Sequence, residues 1–358
     1  MAREYRMSKA TPKGFDLAAR LALIGVAVGG LAAGFGYAAG WLGSERLTPH
    51  QIIDAFEANA GKFPGYRKNH AKGICIAGHF ESSGQAEKLS RASVFAPGKV
   101  PVIGRLAIGG SNPHAPDAGV PTRSMALLFQ LPGGEQWRTG MNTPPVLPVA
   151  TPEAFYEQVL ASRPDPATGK PDPLRMQAFF AAHPESAAFR QWAQAAKPSN
   201  SFANVAYNGI NAFRLVDAAG NGQYVRWSVL PEAPFAPLGE AGNDPDFLSH
   251  DLQQRLAQGP LRWHLVLTLA EPGDPTHDAT RQWPAERRQV DAGTLVVESA
   301  EPQDTGACRD INFDPLVLPD GIQTSDDPIL AARSAAYAVS YNRRTREGAP
   351  HAEQGAQQ

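Results

Sequence analysis

Cysteine is almost missing from this chain, with only Cys75 and Cys308 among 358 residues. Two thiols cannot build the multi-bridge framework of a small disulfide-stapled fold, and no paired Cys-x-x-Cys offers zinc a thiolate site. The sequence leaves open whether the two pair; Cys75, set in a β-branched run, reads as a small buried hydrophobe. Charge of one sign is missing too. With 33 basic residues against 35 acidic the net charge is −2, and no basic stretch is interleaved with aromatics, so nothing favours nucleic acid electrostatically. There is no Walker loop, dinucleotide fingerprint or internal repeat. What remains is a chain that is 42% hydrophobic, able to bury one large core or two smaller ones, with 32 prolines and 34 glycines that favour a loop-rich fold. Its scattered short β-type runs and few long amphipathic helices indicate a β-centred α+β protein.

Residues 1–44 stand apart. In residues 1–20, Arg3, Arg6, Lys9, Lys13 and Arg20 outnumber Glu4 and Asp16, and Leu21 to Leu42 then runs without a charged side chain, long enough to span a bilayer as one helix. Basic residues ahead of the span predict a cytoplasmic N-terminus and a single-pass anchor at 21–42 in the inner (cytoplasmic) membrane. The domain from residue 46 onward then lies on the outer face, the periplasm in a Gram-negative bacterium. A cleaved signal peptide is the alternative, since Ala38, Ala39 and Gly40 would suit a peptidase, although the apolar run exceeds a usual signal core.

The stretch that most needs explaining is Arg67-Lys-Asn-His70-Ala-Lys-Gly73-Ile-Cys75-Ile-Ala-Gly78-His79-Phe80-Glu81. Ile74, Ile76 and Phe80, interrupted by small residues, read as a buried strand in which Gly73 and Gly78 let a ligand or a neighbouring strand come close. A histidine at the mouth of such a strand suits acid-base work or metal ligation, and a hydrogen-bonded core histidine is the plain alternative. Before it, Thr48 to Ala58 reads as a short capped helix. After it, Ala92–Phe95, Val102–Ile108 and Ser124–Phe129 read as antiparallel strands between Gly/Pro/Asn clusters. Residues 151–200 turn helical, strands return at 205–230, 262–269 and 293–297, and a helix is expected at 246–257. Asp327-Pro328 opens an alanine-rich helix as N-cap and first helical residue, with Arg333, Tyr337, Tyr341 and Arg344 along one face.

These segments carry a resemblance. His70-Ala-Lys-Gly73 followed by Gly78-His-Phe-Glu81 resembles the distal-histidine strand of heme catalases. Arg333-x-x-x-Tyr337 resembles their proximal ligand helix, and Gly140-Met-Asn142-Thr143-Pro144 the stretch supplying the distal asparagine. Pro121–Phe129, Tyr207–Val216 and Asp278–Pro284 match in the same order, so the likeness runs from about residue 48 to about 346. It implies a catalase-like antiparallel β-barrel core with surrounding helices over 46–346, followed by a disordered tail at 347–358. It also implies heme b ligated by Tyr337 and backed by Arg333, with His70 and Asn142 as the catalytic pair. Arg67, Arg105 and Arg344 resemble the arginines that meet the propionates.

Departures from the family bear on the reaction. The serine that assists the distal histidine two residues past the matched arginine is Ala107 here, the distal phenylalanine is replaced by Val146 or Leu147, and a histidine past the proximal tyrosine has become Tyr341. No C-terminal helical domain is expected, and the apolar segment stands in place of the family's N-terminal arm. The resemblance is therefore to the small catalase-related peroxidases, which reduce hydrogen peroxide or organic hydroperoxides with an organic donor and have weak catalase activity at most. A fatty-acid hydroperoxide isomerase of the allene oxide synthase type and a membrane-tethered heme sensor are the alternatives. The partners implied are peroxide, a small organic reductant and the bilayer, with a membrane electron-donor protein as a further candidate.

Overall fold

The computed structural model describes residues 14–39, 42, 47–239 and 244–348, in two units that divide after Thr48. The first is the helix α1, Gly14–Ala38, whose residues 17–38 are apolar enough to cross a membrane and, Gly36 apart, are exposed. It begins earlier and ends earlier than the expected span of 21–42, and Leu42 lies beyond it with its N–H donated to Gly36 O. The basic residues 1–13 and the tail residues 349–358 lie outside the described residues.

The second unit is built on period-2 alternation. Strands β1 (Gly73–Ser82), β2 (Gly98–Ile108), β3 (Arg123–Gln130) and β4 (Gln136–Asn142) pair antiparallel in sequence order, and β5 (Tyr207–Asn208) continues from β4. β7 (Gly222–Pro231), β8 (Leu261–Leu269) and β9 (Gln289–Pro302) return to β1, so the sheet closes into a barrel. β6 (Phe213–Val216) and β10 (Ile322–Thr324) extend it beside β7. Because successive side chains face opposite ways, Leu106, Ile108, Met125, Leu127 and Met141 fill the barrel while their neighbours face outward. A run of aromatics completes the interior: Phe129 stacks on Trp137 at 4.6 Å, and Trp227 meets Trp137 edge-on at 5.1 Å and Phe213 face-on at 4.3 Å. The close visitor at Gly78 is the neighbouring strand, since a Cβ there would lie 1.9 Å from Val296 O.

Helices cover one side. α2 (Pro49–Ala60) packs on the terminal helix α7 (Pro328–Arg346) and on α3 (Pro152–Ala161); α4 (Pro173–Ala182) and α5 (Ala187–Ala195) follow, and α6 (Phe247–Leu256) sits against β9. Asp327 caps α7 by accepting from Ile329 N, with Pro328 at the first position, as its sequence predicts. A buried ion cluster ties α2 to α7: Lys68 Nζ lies 3.1 Å from Glu57 and 2.7 Å from Glu347, and Arg343 lies 2.6 Å from Glu57. Glu347, expected in a disordered tail, is thus held in the structure.

One expectation is corrected and one open question is answered. Ala92–Phe95 is not a strand; its β-type residues form a single 3-10 turn at Ser93–Phe95, with Val94 and Phe95 buried against the barrel. Cys75 is buried, as its setting suggests. It bonds Cys308 with the Cα atoms 5.3 Å apart, fastening the 303–313 loop to the outer face of β1, where Leu128 and Phe313 complete a small separate core.

Candidate active site

The site rests on the outward face of the barrel wall. Cross-strand register puts Ala107, Ser124 and Asn142 in one row across β2, β3 and β4, and Arg105, Ala126 and Gly140 in the next. These two rows are two residues apart along each strand, roughly 7 Å. Their small side chains leave room above the wall. A Cβ on Gly140 would already come within 3.3 Å of Arg333 Nη2 and 3.5 Å of Tyr337 Oη, so glycine there admits the α7 side chains.

His70 reaches the first row from the mouth of β1. Its backbone has φ of 51°, a left-handed conformation that costs a residue with a Cβ about 1–3 kcal/mol and is retained where the surroundings enforce it. Asn69 enforces it: its Oδ1 accepts from His70 N at 2.8 Å and from Gly110 N at 3.2 Å. The His70 imidazole then places Nδ1 2.8 Å from Ser124 Oγ and 3.2 Å from Ile108 O. Burial, and after it the charge of Arg105, pushes His70 down to about 4, so the ring is neutral at ordinary pH. Ser124 Oγ in turn donates to Asn142 Oδ1 at 2.5 Å.

α7 supplies the second row. Arg333 donates from Nη2 to Gly140 O at 2.9 Å and to Tyr337 Oη at 3.4 Å, and from Nη1 to Asn211 Oδ1 at 2.5 Å. Asn211 Nδ2 donates to Asp327 Oδ2 at 2.8 Å, so the residue that caps the helix also fixes the arginine behind the tyrosine.

Three further arginines crowd one side of the cavity, and their own partners are neutral. Arg67 Nη2 donates to the carbonyls of Cys308 (2.9 Å) and Ile311 (3.0 Å), Arg344 Nη2 to Ile311 O (3.1 Å), and Arg105 Nη2 to Ala71 O (3.1 Å) and Gln303 Oε1 (2.5 Å). Nε of Arg105 and of Arg344 is buried with no acceptor among the described residues. Burial first, and then the neighbouring guanidinium of Arg344, presses Arg105 down to about 9. Arg67 is likewise lowered, by burial and then by Arg105 and Arg344. Asp310 offsets part of the charge on Arg67 and Arg344, and Asp304 part of that on Arg105; incompletely compensated buried cations are costly, and this set fits an anionic group with two carboxylates. A cavity of about 330 Å³ joins all these residues, with Ile52, Phe56, Phe155 and Phe189 at its apolar side. A tyrosine and an arginine facing one row, a histidine and an asparagine at the next, and cations at the rim form the donor set for a flat, dianionic iron macrocycle.

All seven residues singled out by sequence line this one cavity: His70, Asn142, Arg67, Arg105, Arg333, Tyr337 and Arg344. Sequence reading missed Ser124, Asn211 and Asn69. Ser124 was legible in principle, because it sits directly opposite Ala107, the position where a serine was expected. Asn211 and Asn69 act through contacts that no spacing encodes.

The sequence model of the catalase family matches residues 39–353. A catalase-related peroxidase of Synechococcus elongatus is 39% identical over 326 residues, covering 90% of this chain and 96% of the relative. A catalase-related peroxidase of Mycolicibacterium paratuberculosis is 34% identical, covering 84% and 96%. Among solved structures, a fungal catalase superposes with a TM-score of 0.71 at 18% identity, covering 79% of this chain but only 60% of that one, and a bacterial catalase with 0.70 at 19%, covering 79% and 58%. With a family match across nearly the whole second unit and two relatives aligned almost end to end, this chain is a member of the catalase family.

Proposed function

We propose that the chain is a heme-dependent peroxidase that reduces hydrogen peroxide or organic hydroperoxides with a small organic donor and has weak catalase activity at most. The observation that carries this reading is the single cavity in which Tyr337, backed by Arg333, lies beside the hydrogen-bonded set of His70, Ser124 and Asn142. When bound, heme b would supply the iron redox chemistry needed for peroxide reduction. Tyr337 would hold the iron through its phenolic oxygen, to which Arg333 donates at 3.4 Å. Arg67, Arg105 and Arg344 would hold the propionates, whose charge would offset their mutual repulsion. His70 accepts the peroxide proton at Nε2 and returns it to the departing oxygen, and the Asn142 amide donates to the peroxide and orients it. Val146 and Leu147 line the cavity where the family carries a phenylalanine, leaving space for an organic donor. The names of the two relatives with near-complete overlap support the same choice.

A second reading draws on the apolar side of the cavity, where Ile52, Phe56, Phe155 and Phe189 would accept an acyl chain. It makes the enzyme a fatty-acid hydroperoxide isomerase, and product analysis without any donor separates the two. For location, α1 serves as a membrane anchor with the domain in the periplasm, and the disulfide supports an oxidising compartment. A membrane protein delivering electrons would be a natural neighbour there.

The test is an absorption spectrum of the heme-loaded full chain beside Tyr337→Ala, with dye oxidation and oxygen evolution measured on the same samples. A high-spin ferric spectrum lost in the variant, with dye oxidation exceeding oxygen evolution, is expected. An unchanged spectrum in Tyr337→Ala removes the ligand assignment, and oxygen evolution at the rate of a full-length catalase removes the peroxidase assignment.

A further inference from the structure

We propose that Ser124 is a positioning residue that locks His70 and Asn142 into one hydrogen-bonded unit, replacing from the neighbouring strand the hydroxyl that position 107 lacks. The proposal rests on the roles given above to His70 and Asn142.

The protons in this set can be counted. A serine hydroxyl has one to donate, and Ser124 Oγ has two neighbours, Asn142 Oδ1 at 2.5 Å and His70 Nδ1 at 2.8 Å. An amide oxygen only accepts, so the hydroxyl proton goes to Asn142. Nδ1 must then carry its own proton, and Ile108 O, 3.2 Å away and also only an acceptor, requires the same. One arrangement satisfies every atom. His70 is the Nδ1–H tautomer, with the Nε2 lone pair free to accept a proton. Asn142 has Oδ1 turned to Ser124, which leaves its amide N–H bonds for the cavity, and Nδ2 bonds no protein acceptor among the described residues. Both groups are therefore set in the orientation that peroxide activation needs before any substrate arrives.

The backbone explains how the serine comes to be there. Ala107 pairs with Ser124 across β2 and β3, and Ser124 pairs with Asn142 across β3 and β4. A methyl at 107 offers His70 nothing, while a hydroxyl one strand over lies within reach of the ring and next to the asparagine. A serine on β2 would have β3 between it and Asn142. On β3 it touches both groups, so base and orienting donor become coupled. Ser124 is only 8% exposed, which limits competition from solvent for its hydroxyl.

The experiment compares the full chain in detergent as parent, Ser124→Ala, Ser124→Thr, and Ser124→Ala with Ala107→Ser. In heme-free protein, nitrogen NMR of labelled histidine reports the His70 tautomer, which is Nδ1–H in the parent and partly exchanged to Nε2–H in Ser124→Ala. In heme-loaded protein, kcat/KM for peroxide falls roughly 10- to 100-fold in Ser124→Ala, the usual scale for losing an orienting hydrogen bond behind an active group, while KM for the donor stays constant. Ser124→Thr, which keeps the hydroxyl, stays near the parent, and Ala107→Ser restores the tautomer and much of the rate. A Ser124→Ala variant that matches the parent in tautomer and rate, or a Ser124→Thr that loses as much as Ser124→Ala, overturns the proposal. His70→Gln separates the two levels: if it too leaves the peroxide rate intact, the functional reading has failed; if it alone abolishes the rate, only the Ser124 linkage has.

Discussion

Removing the Cys75–Cys308 bridge should lower the thermal midpoint by about 8 °C. The two residues are 233 apart in sequence, and the loop-closure entropy that such a bridge removes from the unfolded chain corresponds to about 5 kcal/mol. The unfolding entropy of a body of roughly 300 residues is about 0.6 kcal/mol per kelvin, and the ratio gives the shift. The measurement is calorimetry of the heme-free protein as parent, as Cys75→Ala with Cys308→Ala, and as parent reduced with free thiols counted. A shift below about 2 °C with both thiols titrated would refute the reasoning, because it would mean the unfolded chain gains no freedom from the open loop. Heme affinity should weaken alongside. The bridge anchors the loop whose carbonyls at 308 and 311 hold Arg67, so a loosened loop unseats that arginine.

Other perturbations reach the site by separate routes. His70, at about 4 in the folded protein against an ordinary 6.5, leaves the unfolded chain to take up the proton first as pH falls. Stability is whole above about 6.5 and about 3 kcal/mol of it is lost by pH 4, so denaturation of His70→Gln against the parent across that window should show the gap change by that amount; a constant gap contradicts the shift. Arg344→Met should leave the heme-free protein equally stable or slightly more so, since it relieves crowded cations, yet weaken heme binding at least roughly tenfold in a spectrophotometric titration. Asp327→Ala should cost about 1–2 kcal/mol in denaturant unfolding through the lost cap, and should alter the heme absorption spectrum because Asn211, which holds Arg333, bonds the same carboxylate.

The sequence made the barrel legible where alternation was strong, as in Val102–Ile108 and Ser124–Phe129, and made α7 legible through Asp327-Pro328. It misread Ala92–Phe95, where Val94 and Phe95 reflect burial against the barrel rather than extension. The motifs picked out seven residues that line one cavity. What supports them was not picked out, because Asn69, Asn211 and Ser124 act across 41, 122 and 18 residues of chain. The same distance hid the disulfide: pairing depends on the 303–313 loop lying on the outer face of β1, which neither local pattern announces.

The pairing of Ala107 with Ser124 has a wider consequence. In a sheet, places close in space belong to different stretches of chain, so a chemical group can migrate to an adjacent strand about 5 Å away with no rearrangement of the backbone. Column by column against its relatives, such a protein looks as if it has lost a functional serine at one position and gained an idle one at another. In this family, comparing ladder rows rather than single columns should therefore separate genuine loss of an active-site group from its relocation.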